Sequence, residues 1–487
     1  MTGPGGRRFR ILALCFDPVT EQMPGPAIRA WNLAEQLAGE HDVVLAGTAG
    51  ATRRHPAFEV RAVTGGEIDA LVEWADVVFA PTSVVRRHPV VAASETPLCI
   101  DMYVPTHLEN LEAVGRAGDD AHRAAVAHQV SVINEDLRAG DFFLCASERQ
   151  RDFWLGSLAT LGRVNPATYG RDPRLRDLID VVPFGIEDHP PAGQPGVLRR
   201  EFPAIGPQDP VVIWGGGVYN WFDPVSLVRA IDALKVQRPA IRMVFLGMRH
   251  PNPEIPEMRV AQELRDESDR LGLTGRHVFF NEGWVPYDQR AAYLLDADVA
   301  ASTHLAHLET RFSFRTRVLD YLWAGLPAVL TEGDTLSDEV AAAGLGVAVP
   351  PGDPAAIAAA IARLLDSPPE RSEVAAFGER FRWSRAAGPL LEFCRSPRRA
   401  ADRPARPPAA PGAVGGGGPA GAPPPPAPGV APGPAAGPGT GPQPRGSLRT
   451  AEQLARRFGR PLGRVLGPRG RQALRRLADR VGRPAGQ

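Results

Sequence analysis

The sequence predicts an α/β protein in which two doubly wound domains face each other across a cleft. Twelve short apolar runs recur through residues 1–394, six in each half, and segments with helical periodicity separate them. Continuous apolar runs are typical of parallel strands that helices cover on both faces. A chain of 487 residues also has room for two or three domains and a sizeable core.

The predicted strands form two sets on either side of a stretch rich in proline and glycine. This stretch, between residues 185 and 210, predicts a boundary between an N-terminal domain over 1–190 and a C-terminal domain over 191–394. In such a pair of domains, ligands bind at the C-terminal ends of the strands, in the cleft. The predicted strands are 10–16, 42–46, 76–80, 97–100, 141–146, 179–183, 211–214, 242–247, 277–280, 297–301, 327–330 and 345–349.

Helix-start signals follow several of these strands. A Gly-Pro dipeptide opens a helix over 26–39, and Asp223 before a proline predicts an N-cap with proline at the first helical position. Ser147 and Gln150 have the spacing of a capping box, in which both side chains satisfy amide groups of the first turn. These signals support the alternation of strands and helices.

The region after residue 394 has a different composition. Residues 401–446 contain 27 glycines and prolines in 46 positions, too little apolar surface to offset the entropy of ordering. The sequence therefore predicts a disordered linker over 395–446. Residues 447–487 follow with eleven arginines against two acidic residues, and their apolar residues have the spacing of two short amphipathic helices. We expect a basic helical tail there.

The formal net charge of zero conceals an acidic body and a basic tail. Residues 447–487 carry +9, the linker carries +5, and residues 1–394 therefore carry about −14. The overall balance argues against a globally basic nucleic-acid binder, so we expect no specific nucleic-acid partner. A tethered, arginine-rich amphipathic segment suits an anionic membrane surface. The alternatives are a tail that folds onto the acidic body and weak nucleic-acid binding.

Several classes of protein are disfavoured by residue counts and spacings. Lys235 is the only lysine, which argues against pyridoxal-phosphate enzymes and Walker-type ATPases. The four cysteines lack metal-ligand spacing and indicate buried thiols in a reducing cytosol. His304, His307 and Glu309 do not have the spacing of a zinc-binding helix. We expect a cytoplasmic protein, with no membrane-spanning segment, no metal and no cofactor.

The most informative segment is HLETRFSFRTRVLDYLWAGLP at 307–327. Ser313 precedes a helical pattern and is a candidate N-cap, so the backbone amides at 314–316 would be free to bind an anion at the helix N-terminus. Arg315 and Arg317 flank this position, and the planar guanidinium of arginine suits phosphate oxygens. The pattern predicts a phosphate site.

Asp320 lies further along the same predicted helix. Its carboxylate could accept hydrogen bonds from the two vicinal hydroxyls of a ribose. The alternative is structural: Arg317 and Asp320 form a surface pair three residues apart, and Arg315 is solvated.

At this point the sequence resembles a family. The segments LDYLWAGLPAVLTEGD and GLGVAVPPGDPAAIAAAIARLL look like the C-terminal half of retaining nucleotide-sugar glycosyltransferases of the GT-B type, which have two Rossmann-like domains. GPAIRAWNLAEQLAGEHDVVLAG, VVPFGI and VFFNEGWVPYDQRAAYLLDADVAAS agree with this resemblance, which covers residues 9–394. It implies transfer of a sugar from a nucleoside-diphosphate donor to a hydroxyl acceptor, with charge on the leaving diphosphate managed by the protein.

The chain departs from the family pattern at two places. The family usually has two glutamates eight positions apart; Asp320 replaces the second, Phe312 stands at the first, and Glu309 is three residues earlier and could serve instead. The family also has a basic pair after the first strand of the second domain. This chain has glycines at 215–217 there, whose backbone amides could approach the phosphates.

In the N-terminal half, the resemblance places Gly25 in a loop near the reacting centre, with Arg29 one turn into the following helix. Asp101 ends a predicted strand where the family often has a histidine. It could position an acceptor hydroxyl or act as its base. An ordinary turn for Gly25 and a capping role for Asp101 remain alternatives.

The expected site therefore has three parts. The catalytic residues are Asp101, Glu309, Arg315 and Arg317; the donor-binding residues are Gly215, Gly216, Gly217, Ser313, Phe314, Thr316 and Asp320; the acceptor or phosphate loop has Gly25 and Arg29. The resemblance implies a role in polysaccharide or glycoconjugate assembly, with a polyprenyl-linked glycan as one candidate acceptor at the inner face of the plasma membrane. The alternative is a non-catalytic nucleotide-sugar-binding or scaffold homologue tethered by its basic tail.

Overall fold

A computed structural model of the chain describes residues 7–113, 120–251 and 257–403. Within them the chain forms two parallel sheets with helices on both faces, so the predicted fold of two doubly wound domains is confirmed. The predicted tail over 447–487, and the predicted linker from residue 404 onward, lie outside the described residues.

The first sheet has seven parallel strands in the order β3-β2-β1-β4-β5-β6-β7. The order reverses between β1 and β4, which opens a crevice at the carboxyl ends of these strands. The strands are β1 Arg10–Cys15, β2 Asp42–Gly47, β3 Glu59–Ala62, β4 Val77–Pro81, β5 Leu98–Asp101, β6 Phe142–Cys145 and β7 Ile179–Val181.

The second sheet has six parallel strands in the order β10-β9-β8-β11-β12-β13. Its order reverses between β8 and β11, so it offers a second crevice of the same kind. The strands are β8 Val211–Gly217, β9 Arg242–Gly247, β10 Val278–Phe280, β11 Val299–Ser302, β12 Ala328–Thr331 and β13 Gly346–Val349.

Helices connect the strands of both sheets. In the first half of the chain they are α1 Gly25–Ala38, α2 Gly65–Trp74, α3 Val84–Arg87, α4 Pro89–Ala93, α5 Thr106–Ala113, α6 Asp120–Ala139, α7 Glu148–Thr160, α8 Pro166–Arg171 and α9 Val197–Glu201. In the second half they are α10 Pro224–Leu234, α11 Arg259–Arg270, α12 Arg290–Leu295, α13 Leu308–Phe312, α14 Thr316–Trp323, α15 Thr335–Ala342, α16 Pro354–Asp366, α17 Arg371–Gly378, α18 Trp383–Ala386 and α19 Gly388–Arg395, with 3₁₀ turns at Tyr287–Gln289 and Glu379–Phe381. None of the described helices is long and apolar enough to cross a membrane.

All twelve predicted strands are present, and the structure adds one, β3. This strand lies at the edge of the first sheet, and Val60 is its only buried residue. An edge strand with one apolar side chain has no continuous apolar run to mark it in the sequence. The helix-start signals are confirmed at Asp223, whose carboxylate accepts the Ser226 amide, and at Ser147, whose hydroxyl accepts the Gln150 amide.

The end of the described chain returns to the first domain. The Phe393 ring in α19 stacks on Phe142 of β6 with their centroids 4.8 Å apart. Beyond that helix, Ala400 is buried, and Asp402 forms an ion pair with buried Arg163, 2.6 Å between Nε and Oδ2. The predicted linker begins at residue 395, and its first residues, up to 403, thus pack against the first domain.

Candidate active site

A cavity of about 430 Å³ lies between the two domains, where the carboxyl ends of both sheets meet. Loops that follow β1, β4 and β5 form its first wall, and loops that follow β8, β9, β10 and β11 form its second wall. Twelve of the thirteen predicted site residues line it: Gly25, Asp101, Gly215, Gly216, Gly217, Glu309, Ser313, Phe314, Arg315, Thr316, Arg317 and Asp320.

Hydrogen bonds between the domains border this cavity on two sides. On one side the Tyr287 amide donates to the carbonyl oxygen of Glu21 at 3.0 Å. On the other side Gln150, which is fully buried, donates from Nε2 to the carbonyl oxygen of Phe312 at 2.8 Å. Loops from both domains are therefore fixed against each other around the cavity.

The helix that was predicted to bind an anion, α14, begins later than the sequence indicates. Its first residue is Thr316, and Arg315 occupies the N-cap position. Ser313 instead ends the preceding short helix, and its hydroxyl donates to the carbonyl oxygen of Thr310 at 2.9 Å. The N-cap prediction for Ser313 is wrong because the chain makes a separate turn of helix before α14. The Val318 amide donates to the carbonyl oxygen of Arg315, whereas the amides of Thr316 and Arg317 lack an acceptor inside the helix, and both of these residues line the cavity.

Among the buried charged residues that line the cavity in the described part of the chain, Arg317 has the least compensated charge. Its side chain is only 8% exposed, and Nη2 donates to the carbonyl oxygen of Gly217 at 2.7 Å. The guanidinium lies over two aromatic rings, 4.3 Å from the centroid of Trp214 and 4.1 Å from that of Phe222. Within the described residues no carboxylate forms a salt bridge with it, and Nη1 is buried with no hydrogen-bond partner. Burial lowers the pKa of Arg317 to about 10, so the side chain is still charged at neutral pH.

Glu309 and Arg315 form a buried bidentate pair. Arg315 Nη1 and Nη2 lie 2.9 Å and 2.6 Å from the two carboxylate oxygens of Glu309. The sequence predicts a phosphate contact for Arg315 and a catalytic role for Glu309, but in the structure the two side chains bind each other. The pair is therefore a net-neutral part of the cavity wall, not a free cation and a free carboxylate.

A histidine holds the short helix that carries this pair. His307 Nδ1 accepts the Thr310 amide at 3.2 Å, while Nε2 lies 2.9 Å from the carbonyl oxygen of Trp221 and donates to it. Buried His304 lies next to His307, and burial lowers the pKa of His304. In the described part of the chain no three metal-ligating side chains form a cluster.

The three glycines at the end of β8 have structural roles that the sequence did not predict. The Gly215 amide donates to the Tyr321 hydroxyl at 2.9 Å, so it is not available to a phosphate. A Cβ on Gly215 would lie 3.0 Å from the Tyr321 ring. Gly216 has φ +90°, a conformation that glycine adopts without strain. Gly215 thus allows the strand to pass close to α14, and a Cβ on Gly217 would lie 2.8 Å from the Tyr219 ring.

Asp320 faces the cavity with a side chain that is 37% exposed. Arg290 Nε donates to Oδ1 of Asp320 at 3.1 Å. Burial raises the pKa of Asp320, and the charge of Arg290 opposes this effect. The alternative of a surface pair between Arg317 and Asp320 is wrong, because the two side chains have different partners.

Arg29 and Asp101 in the first domain form a second buried bidentate pair. Arg29 Nε lies 2.6 Å from one carboxylate oxygen of Asp101 and Nη2 lies 3.0 Å from the other. The guanidinium also donates to the carbonyl oxygens of Val182 and Pro183, both at 2.9 Å. Arg29 is thus fully engaged and does not line the cavity, so its predicted phosphate role is not supported. The Asp101 carboxylate is likewise not a free base.

An aromatic wall, which the sequence analysis missed, lies at the carboxyl ends of β8, β9 and β10. The rings of Tyr219 and Trp221 stack with centroids 4.9 Å apart, and His250 lies 5.7 Å from Trp284. All four side chains line the cavity. The sequence does contain a signal for this wall, because an aromatic residue follows each of three predicted neighbouring strands. Flat apolar faces of this kind suit a planar heterocycle.

Residues 209–367 match the family model described as Glycosyl transferases group 1. This match lies within the second domain. No curated protein matches the chain. Among solved structures, HepE from Anabaena matches with a TM-score of 0.57 at 16% identity, covering 80% of this chain and all of its own. Sucrose-phosphate synthase from Thermosynechococcus elongatus matches with a TM-score of 0.55 at 14% identity, covering 80% and 98% of the two chains.

A glycosyltransferase from Rickettsia africae also shares the fold, with a TM-score of 0.53 at 12% identity over 80% of this chain and 98% of its own. The prediction of a GT-B glycosyltransferase is therefore confirmed by the family match and the fold. Twelve of the thirteen residues predicted for the site of this glycosyltransferase lie in one cleft, and Arg29 does not. The sequence could not predict which of their charges are already neutralised.

Proposed function

We propose that this glycosyltransferase binds the diphosphate of a nucleoside-diphosphate sugar at the N-terminus of α14, beside Arg317. The observation that carries the proposal is the buried guanidinium of Arg317, which has no carboxylate partner within the described residues and borders an interdomain cavity. A buried charge needs an opposite charge to be stable. Amide groups at a helix N-terminus add a favourable field for an anion.

The other parts of a nucleotide have places on either side of this anion position. The aromatic wall supplies faces on which a base would stack. Asp320 presents a carboxylate for ribose hydroxyls. HepE was crystallised with UDP and glucose, and also with UDP-glucose, so UDP-sugars are the first donors to test.

The proposed reaction breaks the bond between the sugar C1 and the diphosphate oxygen, and the acceptor oxygen forms the new bond to C1. Negative charge grows on the leaving phosphate, where Arg317 and the α14 amides stabilise it. The carboxylates of Asp101 and Glu309 are each held by an arginine, so neither predicted residue is free to take the acceptor proton. We propose that a leaving phosphate oxygen takes it, which places attack on the same face and retains the anomeric configuration.

The acceptor lies on the first-domain side of the cavity in this proposal. We propose a hydroxyl of a growing polysaccharide or glycoconjugate, with a polyprenyl-linked glycan as the acceptor that a membrane-bound tail would favour. The basic segment 447–487 would hold the cytoplasmic protein at the inner face of the plasma membrane. Flotation of the full chain with anionic liposomes, compared with a chain lacking 447–487, tests this part: equal flotation contradicts it.

Donor binding and turnover test the proposal directly. We expect the full chain to bind one of UDP-, GDP-, dTDP- or ADP-sugars, raising Tm, and to transfer or hydrolyse the sugar. Binding without any transfer or hydrolysis would favour the alternative of a non-catalytic nucleotide-sugar-binding protein. The two buried arginine–carboxylate pairs at predicted catalytic positions are the observation that keeps this alternative. Binding of none of these donors contradicts both.

A further inference from the structure

Arg290 in α12 lies at the centre of a cluster that joins the donor side of the cavity to the first domain. Its Nε donates to Asp320 Oδ1 at 3.1 Å, and its Nη2 donates to Glu187 Oε1 at 3.2 Å. Its Nη1 donates to the carbonyl oxygen of Tyr287 at 3.0 Å. The guanidinium therefore has hydrogen bonds to two carboxylates and to the backbone.

Two aromatic rings fix the orientation of this guanidinium. Its central carbon lies 3.8 Å from the ring centroid of Tyr287 and 4.6 Å from that of Trp323. The Arg290 side chain is only 15% exposed. A planar fork held between rings presents its donors in one direction, which a flexible lysine would not do.

The geometry leaves one side of Asp320 open to the cavity. Arg290 contacts Oδ1, and among the described residues no donor contacts Oδ2. The Asp320 side chain remains 37% exposed, on the side where it lines the cavity. A carboxylate held by one oxygen, with its other oxygen toward a cavity, is arranged to accept hydrogen bonds from a ligand.

The cluster also reaches across the domain boundary. The Tyr287 hydroxyl accepts a hydrogen bond from Asn32 Nδ2 in α1 at 3.1 Å and donates to Glu187 in the segment between the domains. Arg290 Nη2 lies 3.2 Å from the same hydroxyl. One hydroxyl thus contacts the first domain, the interdomain segment and the arginine that holds Asp320.

We propose that Arg290 is a positioning residue that holds Asp320 for the ribose hydroxyls of a nucleoside diphosphate and, through Tyr287, ties this contact to the first domain. The inference rests on the proposed function, because it requires that the ligand be a ribonucleotide. It adds a residue that does not touch the ligand but sets the direction and charge of the one that does. Removing Arg290 would take away the cation that contacts Asp320, which disfavours the ionised form of Asp320.

Calorimetric titration of the full chain tests the inference with UDP, ADP and GDP and their 2′-deoxy forms. The wild-type chain should bind the tightest of the three about tenfold more strongly than its 2′-deoxy form, since a hydrogen bond to a charged group is lost. Arg290→Gln should weaken the ribonucleotide about tenfold and leave the deoxynucleotide nearly unchanged. Arg290→Lys should recover part of the loss because it restores the charge but not the fork.

A double-variant comparison separates positioning from a general structural effect. If Arg290 acts through Asp320, the Arg290→Gln/Asp320→Asn chain should bind no more weakly than Asp320→Asn alone. Losses that add fully would overturn the positioning role. Arg259→Gln removes an exposed arginine whose ion pair within the described residues is with Glu263 on its own helix, and serves as the matched control with unchanged binding.

The remaining outcomes distinguish failure of this inference from failure of the proposed function. If no nucleoside diphosphate binds, or Asp320→Asn leaves ribonucleotide affinity unchanged, the proposed donor site itself is wrong. If Asp320→Asn weakens binding but Arg290→Gln preserves both affinity and the preference for ribose, Arg290 is not a positioning residue. Tyr287→Phe removes only the linking hydroxyl, and we expect a few-fold weaker ribonucleotide binding. Unchanged binding in that variant would overturn the link to the first domain.

Discussion

Each domain has a buried arginine at or behind its side of the cleft, and the two arginines differ in the groups that neutralise their charges. Arg29 in the first domain is 1% exposed and donates to both oxygens of Asp101 and to two backbone carbonyls. Arg317 in the second domain is 8% exposed and donates to the carbonyl oxygen of Gly217, and its other contacts are the rings of Trp214 and Phe222 and the hydroxyl of Tyr321. A carboxylate of the protein neutralises the first guanidinium, whereas no carboxylate of the described residues forms a salt bridge with the second.

This difference distinguishes an arginine with a structural role from an arginine that is suited to bind an anionic ligand. A buried pair that satisfies itself contributes shape, and removing one partner leaves an uncompensated charge. A buried cation without a carboxylate costs stability unless an anion from outside neutralises it. The same residue type, buried in both domains, therefore has opposite expected responses to substitution.

The largest expected effect is loss of stability in Arg29→Met. The substitution leaves the Asp101 carboxylate buried without its cation, which should lower the free energy of unfolding by about 3–5 kcal/mol. Chemical denaturation of the full chain measures this loss. The double variant Arg29→Met/Asp101→Leu removes both charges and should recover most of it, and a double variant as unstable as the single one would show that the pair is not the cause.

Arg317→Met should affect turnover more than stability. Without the cation, the leaving phosphate loses a preorganised partner, and turnover with the donor should fall about 100-fold. The free energy of unfolding should stay the same or rise, since methionine also packs against Trp214 and Phe222 without burying a charge. Steady-state kinetics and denaturation on the same preparation test both statements.

Arg311→Met is the matched control for that variant. Arg311 is exposed and lies in α13, six residues earlier in the same segment. Its removal should change neither turnover nor stability. A normal turnover in Arg317→Met, or an equal loss in Arg311→Met, would contradict the contrast between the two wall arginines.

Sequence reasoning predicted the fold almost completely because the signals are local. Continuous apolar runs mark strands that helices cover on both faces, and all twelve such runs became strands. Strand β3 was not predicted because it lies at the sheet edge and buries only one side chain, that of Val60. The cleft followed as well, because the carboxyl ends of parallel strands meet on one side of each sheet.

Pairing of charges was not predictable, because it depends on partners far away in the chain. Arg29 meets Asp101 from 72 positions away, and Arg290 meets Asp320 from 30 positions away. Neither separation in sequence corresponds to the periodicity of a helix or a strand, so no local pattern indicates these pairs. Ser313 shows the opposite limit: its residue type fits an N-cap, and a separate turn of helix before α14 moved the cap by two positions.

Glu309 and Arg315 are the intermediate case, a self-satisfied pair that borders the cavity. Arg315→Met should lower the free energy of unfolding by about 2 kcal/mol, because the Glu309 carboxylate loses its charged hydrogen bonds. Glu309→Gln/Arg315→Met should restore stability. If the pair only shapes the wall, the double variant also regains most of its turnover.

Turnover that stays low in this stable double variant would give Arg315 the catalytic role that the sequence predicted. Denaturation and kinetics of the single and double variants therefore show whether the pair has a structural role, as Arg29 does, or a catalytic role, as proposed for Arg317. The two measurements are needed together, since low stability alone would also reduce the active fraction.

The smallest expected effect concerns Tyr321, which supports the wall behind Arg317. Its hydroxyl accepts the Gly215 amide and donates to the carbonyl oxygen of Ala301, both at 2.9 Å. Tyr321→Phe keeps the ring against Gly215 and removes both hydrogen bonds, which should cost about 1–2 kcal/mol of stability. Because the freed Gly215 amide borders the cavity, donor affinity should fall less than stability does, and calorimetric titration beside denaturation measures both. If the binding free energy of the donor falls more than the free energy of unfolding, Tyr321 belongs to the donor site and not to the supporting wall. In that case, satisfied hydrogen bonds do not by themselves identify a structural residue.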